Sequence, residues 1–242
     1  MMLSVDRTDA ILYGQTPARE SFATAGSHRS YDLRQGLELL APNTCLYLAL
    51  DCSKDADLSR EGFNARVLQT LCDECDVPLD NDALIHCDGF CGVEAVPTVF
   101  TIKHEQQWAQ YDLDKMREWG GASGSSKVRV LQEIEREIRE GPDRPAAVLL
   151  LSHSLYDGPN QLIEASEELQ KIAPLAALIS HDDQDPSWSD LDFVQKCERI
   201  CSRSHAGAQA RLIPTYLDDE LEDFLGEVIH ELAQVQADML SS

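Results

Sequence analysis

The stretch "AAVLLLSHSLYDGPNQLIEASEEL", residues 146–169, decides how this chain is read. An unbroken apolar run, Val148 to Leu151, stops at Ser152, His153 and Ser154, and Asp157-Gly158 follows. A strand that is apolar on both sides is buried on both faces, as in parallel sheets covered by helices. The segment after it, "QLIEASEELQKI", carries apolar residues at helical spacing. A buried strand feeding a helix is half of a parallel crossover unit. In sheets built from such units, ligands sit beyond the carboxyl ends of the strands. The polar residues after Leu151 are therefore expected on the ligand-facing edge.

Working outward, the same alternation recurs. Strands are expected at "CLYLALDC" (45–52), "ALIHC" (83–87), "PTVFTIK" (97–103), "LAALIS" (175–180) and "ARLIPTYL" (210–217). Helices are expected at 61–75, 127–140, 189–203 and 218–240. The loop between 87 and 97 is too short for a crossover helix, so the strands on either side are expected to be antiparallel neighbours. The fold class is thus α/β: a doubly wound, mainly parallel sheet with one antiparallel edge strand and helices on both faces. The strand at 45–52 is expected at its centre. Residues 1–42 are read as an N-terminal extension, with "DAILYG" adding a strand and "YDLRQGLELL" a helix, and 43–242 as the α/β domain.

Composition bounds the function. The 242 residues hold 43 acidic and 20 basic side chains, a formal net charge of −23. Such a surface repels nucleic-acid phosphates and anionic membranes, which excludes both as partners. Solvation alone accounts for the charge, and a protein partner with a basic surface is the sharper reading. No secretory signal is visible, and no run approaches the about 20 apolar residues of a membrane helix. A cytoplasmic location is expected.

Eight cysteines include the pairs Cys72/Cys75 and Cys87/Cys91, with His86 adjacent to Cys87. Two such pairs have the ligand count of a structural zinc site. Each also falls on a helix or strand pattern, where a thiol packs as a small apolar group. The thiols are expected to be reduced and structural.

The strand ends gather polar, oxygen-rich groups with histidines among them: Asp51, Ser53 and Asp55 after the first strand, His86 and Asp88 after the second, Ser152 to Ser154 after the fourth, and Ser180 to Asp183 after the fifth. The run "LYLALDCSKDADLS" resembles the first strand of a von Willebrand A-type domain, which carries D-x-S-x-S at a metal-ion-dependent adhesion site. The Gly-rich "GGASGSS", 120–126, stands before a helix where that family has a threonine ligand, and "SHSLYDG" stands where it has T-D-G. The resemblance spans roughly 43–240 and implies a divalent site, or its remnant, at Asp51, Ser53, Asp55, Ser123, Ser125, His153 and Asp157. Every segment departs from the family pattern, so the implied cofactor is none, or weakly bound Mg²⁺. The implied function is an intracellular protein–protein interaction module of scaffold or adaptor type, not an enzyme. On this reading Asp51 contacts the partner, and its removal is expected to weaken binding while leaving folding nearly intact.

Two alternatives stand beside it. One is a metal-dependent hydrolase using His86, His153, His181 and Asp182 at the strand ends. The other is a Toll/interleukin-receptor-like signalling module, hinted at by "SHSLYDG" and "DPSWSDLDF".

Overall fold

A computed structural model describes residues 32–52, 63–74, 78–90, 126–152, 159–181, 210–214 and 221–242. In chain order the elements are α1 (Leu33–Glu38), β1 (Cys45–Asp51), α2 (Phe63–Glu74), β2 (Leu84–Phe90), α3 (Lys127–Glu140), β3 (Ala146–Ser152), α4 (Pro159–Leu169), β4 (Leu175–His181), β5 (Ala210–Pro214) and α5 (Leu221–Ser241). The strands form one sheet in the order β2-β1-β3-β4-β5, and all four pairings are parallel. The expected antiparallel strand at 97–103, the extra strand at 9–14 and the helix at 189–203 lie outside the described residues. β1 is an interior strand, while β3 is the middle one of the five described.

Alternation along β1 and β3 explains the double winding. Leu46, Leu48, Leu50, Ala147, Leu149 and Leu151 join the buried apolar cluster made with α1, α2 and α5. Cys45, Tyr47, Ala49, Ala146, Val148 and Leu150 join the cluster made with α3 and α4. Every residue of β1 and β3 is buried. Successive side chains point to opposite faces, so an unbroken apolar run supplies two cores at once.

The helices end where their sequence says. Asp32 caps α1, accepting from the Gln35 amide at 3.2 Å. Ser126 caps α3, accepting from the Arg129 amide at 3.4 Å. The outer face of α3 carries Arg136 between Glu133 and Glu140, and Arg139 against Glu135. These exposed pairs are spaced three or four residues apart and stabilise the helix only weakly.

α1 packs on α5 rather than standing apart from the sheet. Gly36 allows the close approach, since a Cβ there would lie 3.2 Å from the Gly226 carbonyl oxygen. Arg34 donates to the carbonyl oxygens of Glu74 (3.0 Å) and Pro78 (2.9 Å) and ties α1 to the end of α2. At the amino ends of the strands, buried Gln236 of α5 accepts from the Ala41 amide at 2.9 Å and donates to the Ala146 carbonyl at 3.0 Å and to Thr44 Oγ1 at 3.1 Å.

Gln236→Leu keeps the volume and orphans those buried groups. It is expected to destabilise the chain by about 1–3 kcal/mol, the cost of unsatisfied buried donors and acceptors, with an unchanged denaturant slope in urea unfolding.

Candidate functional site

The strand order reverses direction between β1 and β3, because β2 is built to one side of β1 and β3, β4 and β5 to the other. In a doubly wound sheet the crevice outside the carboxyl ends of such a pair is the ligand position. Asp51 ends β1 and Ser152 ends β3, one register step beyond the Leu50–Leu151 pair. Both continue the residue alternation that faces α3 and α4.

Lys127, the first residue of α3, completes the arrangement. Its Nζ lies 3.7 Å from Asp51 Oδ2, and both side chains are 0% exposed. Ser152, also fully buried, donates its hydroxyl to the same Oδ2 at 3.2 Å. At 3.7 Å the Lys127–Asp51 contact is an attraction between charges rather than a short hydrogen bond. Taking two charges out of water is costly. The pair persists because each supplies what the other lost, and because the serine adds a hydrogen bond.

The helix itself argues against a cation here. A helix N-terminus carries partial positive charge, so a lysine in the first turn is disfavoured there. The carboxylate of Asp51 offsets that repulsion.

Of the residues the sequence nominated, Asp51 stands at this edge. Ser53, Asp55, Ser123, Ser125, His153 and Asp157 lie outside the described residues, although each sits within a few residues of Asp51, Lys127 or Ser152 in sequence. Lys127 itself was not nominated. In the sequence it reads as the solvated start of an amphipathic helix. A signal that could have found it is its unfavourable place at the helix start, directly after a Ser- and Gly-rich segment. Asp51 also differs from expectation. Its side chain has no exposed surface in the free chain, where it contacts Lys127 and Ser152.

A divalent ion beside Asp51 would have to share the carboxylate with a cation and a hydroxyl already in contact with it. Mg²⁺ needs oxygen ligands at about 2.1 Å, which would put its centre no more than about 6 Å from the Lys127 ammonium. At an effective dielectric near 20, charges of +2 and +1 at that separation repel by roughly 5 kcal/mol, which offsets part of the ion's attraction to the carboxylate. The carboxylate already serves an ammonium and a hydroxyl.

His86 corrects the hydrolase alternative. The second strand runs on to Phe90, so His86 is mid-strand, opposite Tyr47, rather than at a carboxyl end. Its ring lies 4.9 Å from that of Tyr47, and its Nε2 is 3.6 Å from Glu137 of α3. Burial pushes the Tyr47 phenol up to about 12, against the opposing pull of Arg144. Cys87 is buried in the other core, on the opposite face from His86, so the two cannot share a metal. Cys45 and Cys52 are buried as well. Cys75 and Cys91 lie outside the described residues. Among the described residues no three His, Cys, Asp or Glu side chains gather in a metal-binding group, and no helix is long and apolar enough to cross a membrane.

No protein-family model matches the sequence, and no curated protein matches it either. Solved structures do. The fold is similar to that of von Willebrand factor type A from Catenulispora acidiphila, at 13% identity over 78% of this chain and 42% of that one, with a TM-score of 0.50. It is similar to manganese-loaded TRAP protein of Plasmodium vivax, at 14% identity over 76% and 72%, with a TM-score of 0.51. It is also similar to proximal thread matrix protein 1 of the mussel byssus with zinc in its MIDAS motif, at 12% identity over 78% and 46%, with a TM-score of 0.51. The chain spans less than half the length of the Catenulispora and mussel proteins. At these identities the likeness speaks for the fold, which is of von Willebrand A type.

Two outcomes follow. Asp51→Ala strands a buried ammonium and is expected to cost about 3–5 kcal/mol in urea unfolding, whereas Ser152→Ala, which removes one hydrogen bond to a charge, costs about 1.5–3 kcal/mol. A cost for Asp51→Ala below that of Ser152→Ala would show that the ion pair is not buried. Separately, the raised Tyr47 phenol contributes stability that is intact below pH 10 and is lost as pH climbs towards 12. Phenolate absorbance, compared between the parent and Tyr47→Phe, should show one tyrosine titrating in that window.

Proposed function

We propose that this chain is a protein-interaction module of scaffold or adaptor type, not an enzyme, and that its contact surface is the carboxyl edge of the sheet. The observation that carries this is the strand switch between β1 and β3, closed by Asp51, Ser152 and Lys127. Each of those three begins or ends a described element. The segments that adjoin them in sequence, 53–62, 91–125 and 153–158, hold Ser53, Asp55, Ser123, Ser125, His153 and Asp157. The described ends next to those three segments thus meet at one edge through Asp51, Lys127 and Ser152. Segments carried on a rigid sheet edge can vary without disturbing the core, which suits recognition.

The manganese and zinc in the structures of the two relatives belong to those proteins. For this chain the reading is contact through side chains, with divalent metal absent or weakly held. The net charge of −23 favours a partner with a basic surface. A cytoplasmic setting, with reduced thiols, is part of the same proposal.

The test compares two surfaces of the folded chain. A protein captured from the source cells should bind Asp55→Ala/His153→Ala about 5- to 150-fold more weakly than the parent, the range of one or two charge-assisted contacts. The exposed Asp143→Ala substitution, in the 141–145 turn at the amino edge, should leave affinity unchanged. Binding should also weaken as salt rises. Equal loss from both variants, or turnover of a phosphoester or amide abolished by His181→Ala, would refute the proposal.

A further inference from the structure

We propose that the Lys127 ammonium is the resident cation of the strand switch, built into the chain in place of the divalent ion that the family resemblance puts beside Asp51. The edge is therefore assembled without metal. The inference concerns the free chain and stands whether or not the edge binds another protein.

Three observations carry it. Lys127 and Asp51 are both fully buried and 3.7 Å apart, so the carboxylate has a cation at hand that never exchanges with solvent. Ser152 donates to the same carboxylate oxygen at 3.2 Å, so β1, β3 and α3 each contribute one group to one centre. A bridging metal would likewise draw ligands from separate segments to one point. Finally, Lys127 occupies the first helical position after the Ser126 cap, where the helix dipole opposes a cation. Placing a buried lysine there is tolerable only against a carboxylate, which makes the position specific rather than incidental.

The physical consequence is a difference in linkage. A bound ion stabilises a protein in proportion to the logarithm of its free concentration. A covalently supplied cation stabilises it equally at every metal concentration. Lysine offers three donors on a flexible stem and no fixed coordination geometry. It can therefore satisfy Asp51 without the near-octahedral oxygen set that Mg²⁺ demands.

The experiment uses the whole chain, without partner, and reads its melting temperature. The parent is measured in EDTA and over a Mg²⁺ and Mn²⁺ series. Lys127→Met, Asp51→Asn and the double variant are measured in EDTA. The expected results are a parent melting temperature that does not move with either metal, and a double variant more stable than either single one. Each single substitution leaves one buried group without its counterpart, and the double substitution leaves neither. If both single variants fail to fold while the double variant folds, the proposal is upheld in its strongest form. A saturable rise of the parent's melting temperature with Mg²⁺ or Mn²⁺, abolished by Asp51→Asn, would overturn it. So would a double variant no more stable than the worse single one. The metal series keeps the question decidable even if no variant folds.

Discussion

A buried carboxylate cannot be left alone in an apolar interior, and the carboxyl edge of this sheet is arranged around that constraint. Asp51 ends a strand that is buried along its whole length. Its charge is met by an ammonium from the start of α3 and a hydroxyl from the end of β3. Those partners come from parts of the chain that meet only when β3 lies directly beside β1. The electrostatics and the strand order therefore depend on one another. A wrong pairing of the strands would leave a charge buried without its counterpart, a cost that counts against misfolded alternatives.

A second polar centre does the same work at the other end of the strands. Gln236, near the end of α5, satisfies the Ala41 amide, the Ala146 carbonyl and Thr44. The β1–β3 pair is thus fixed at both ends by long-range polar contacts, while the stretch between them is apolar on both faces. Hydrophobic burial supplies most of the stabilisation and is indifferent to detail. The polar centres supply register, because a side-chain hydrogen bond or ion pair tolerates little displacement. α1 belongs to this scheme through its packing on α5 and through Arg34, although it precedes the first strand.

The likeness to von Willebrand A-type structures, without any matching sequence family, fits this division of labour. Two apolar cores can be refilled by many residue combinations while the strand order persists. The groups at the strand switch are under a different constraint, since each change there must keep the local charge satisfied. A lysine standing in for an exchangeable ion, as proposed for Lys127, would be one way to do so, and it would make a condition-dependent edge a permanent one. The strongly acidic composition gives the same economy a further sense. With 43 acidic side chains on the molecule, a cation held by covalent attachment stays at Asp51 without competition from the rest of the surface.

The five described strands, the described helices and the two-faced burial of β1 and β3 were legible in the sequence, because periodicity is local and reports directly on which side chains leave water. The polar ends Asp51 and Ser152 were legible for the same reason: an apolar run must stop somewhere, and in parallel sheets its carboxyl end faces the ligand edge. Tertiary structure alone decided which of those polar residues meet. Strand order placed β3 beside β1 and so brought Ser152 to Asp51. The extension of β2 to Phe90 moved His86 from a supposed strand end into mid-strand contact with Tyr47 and Glu137. Lys127 had the look of a solvated helix start, and only the packing of α3 over β1 removed it from water. Burial of a charge depends on where its counter-charge lies in space, and no local pattern along the chain encodes that distance.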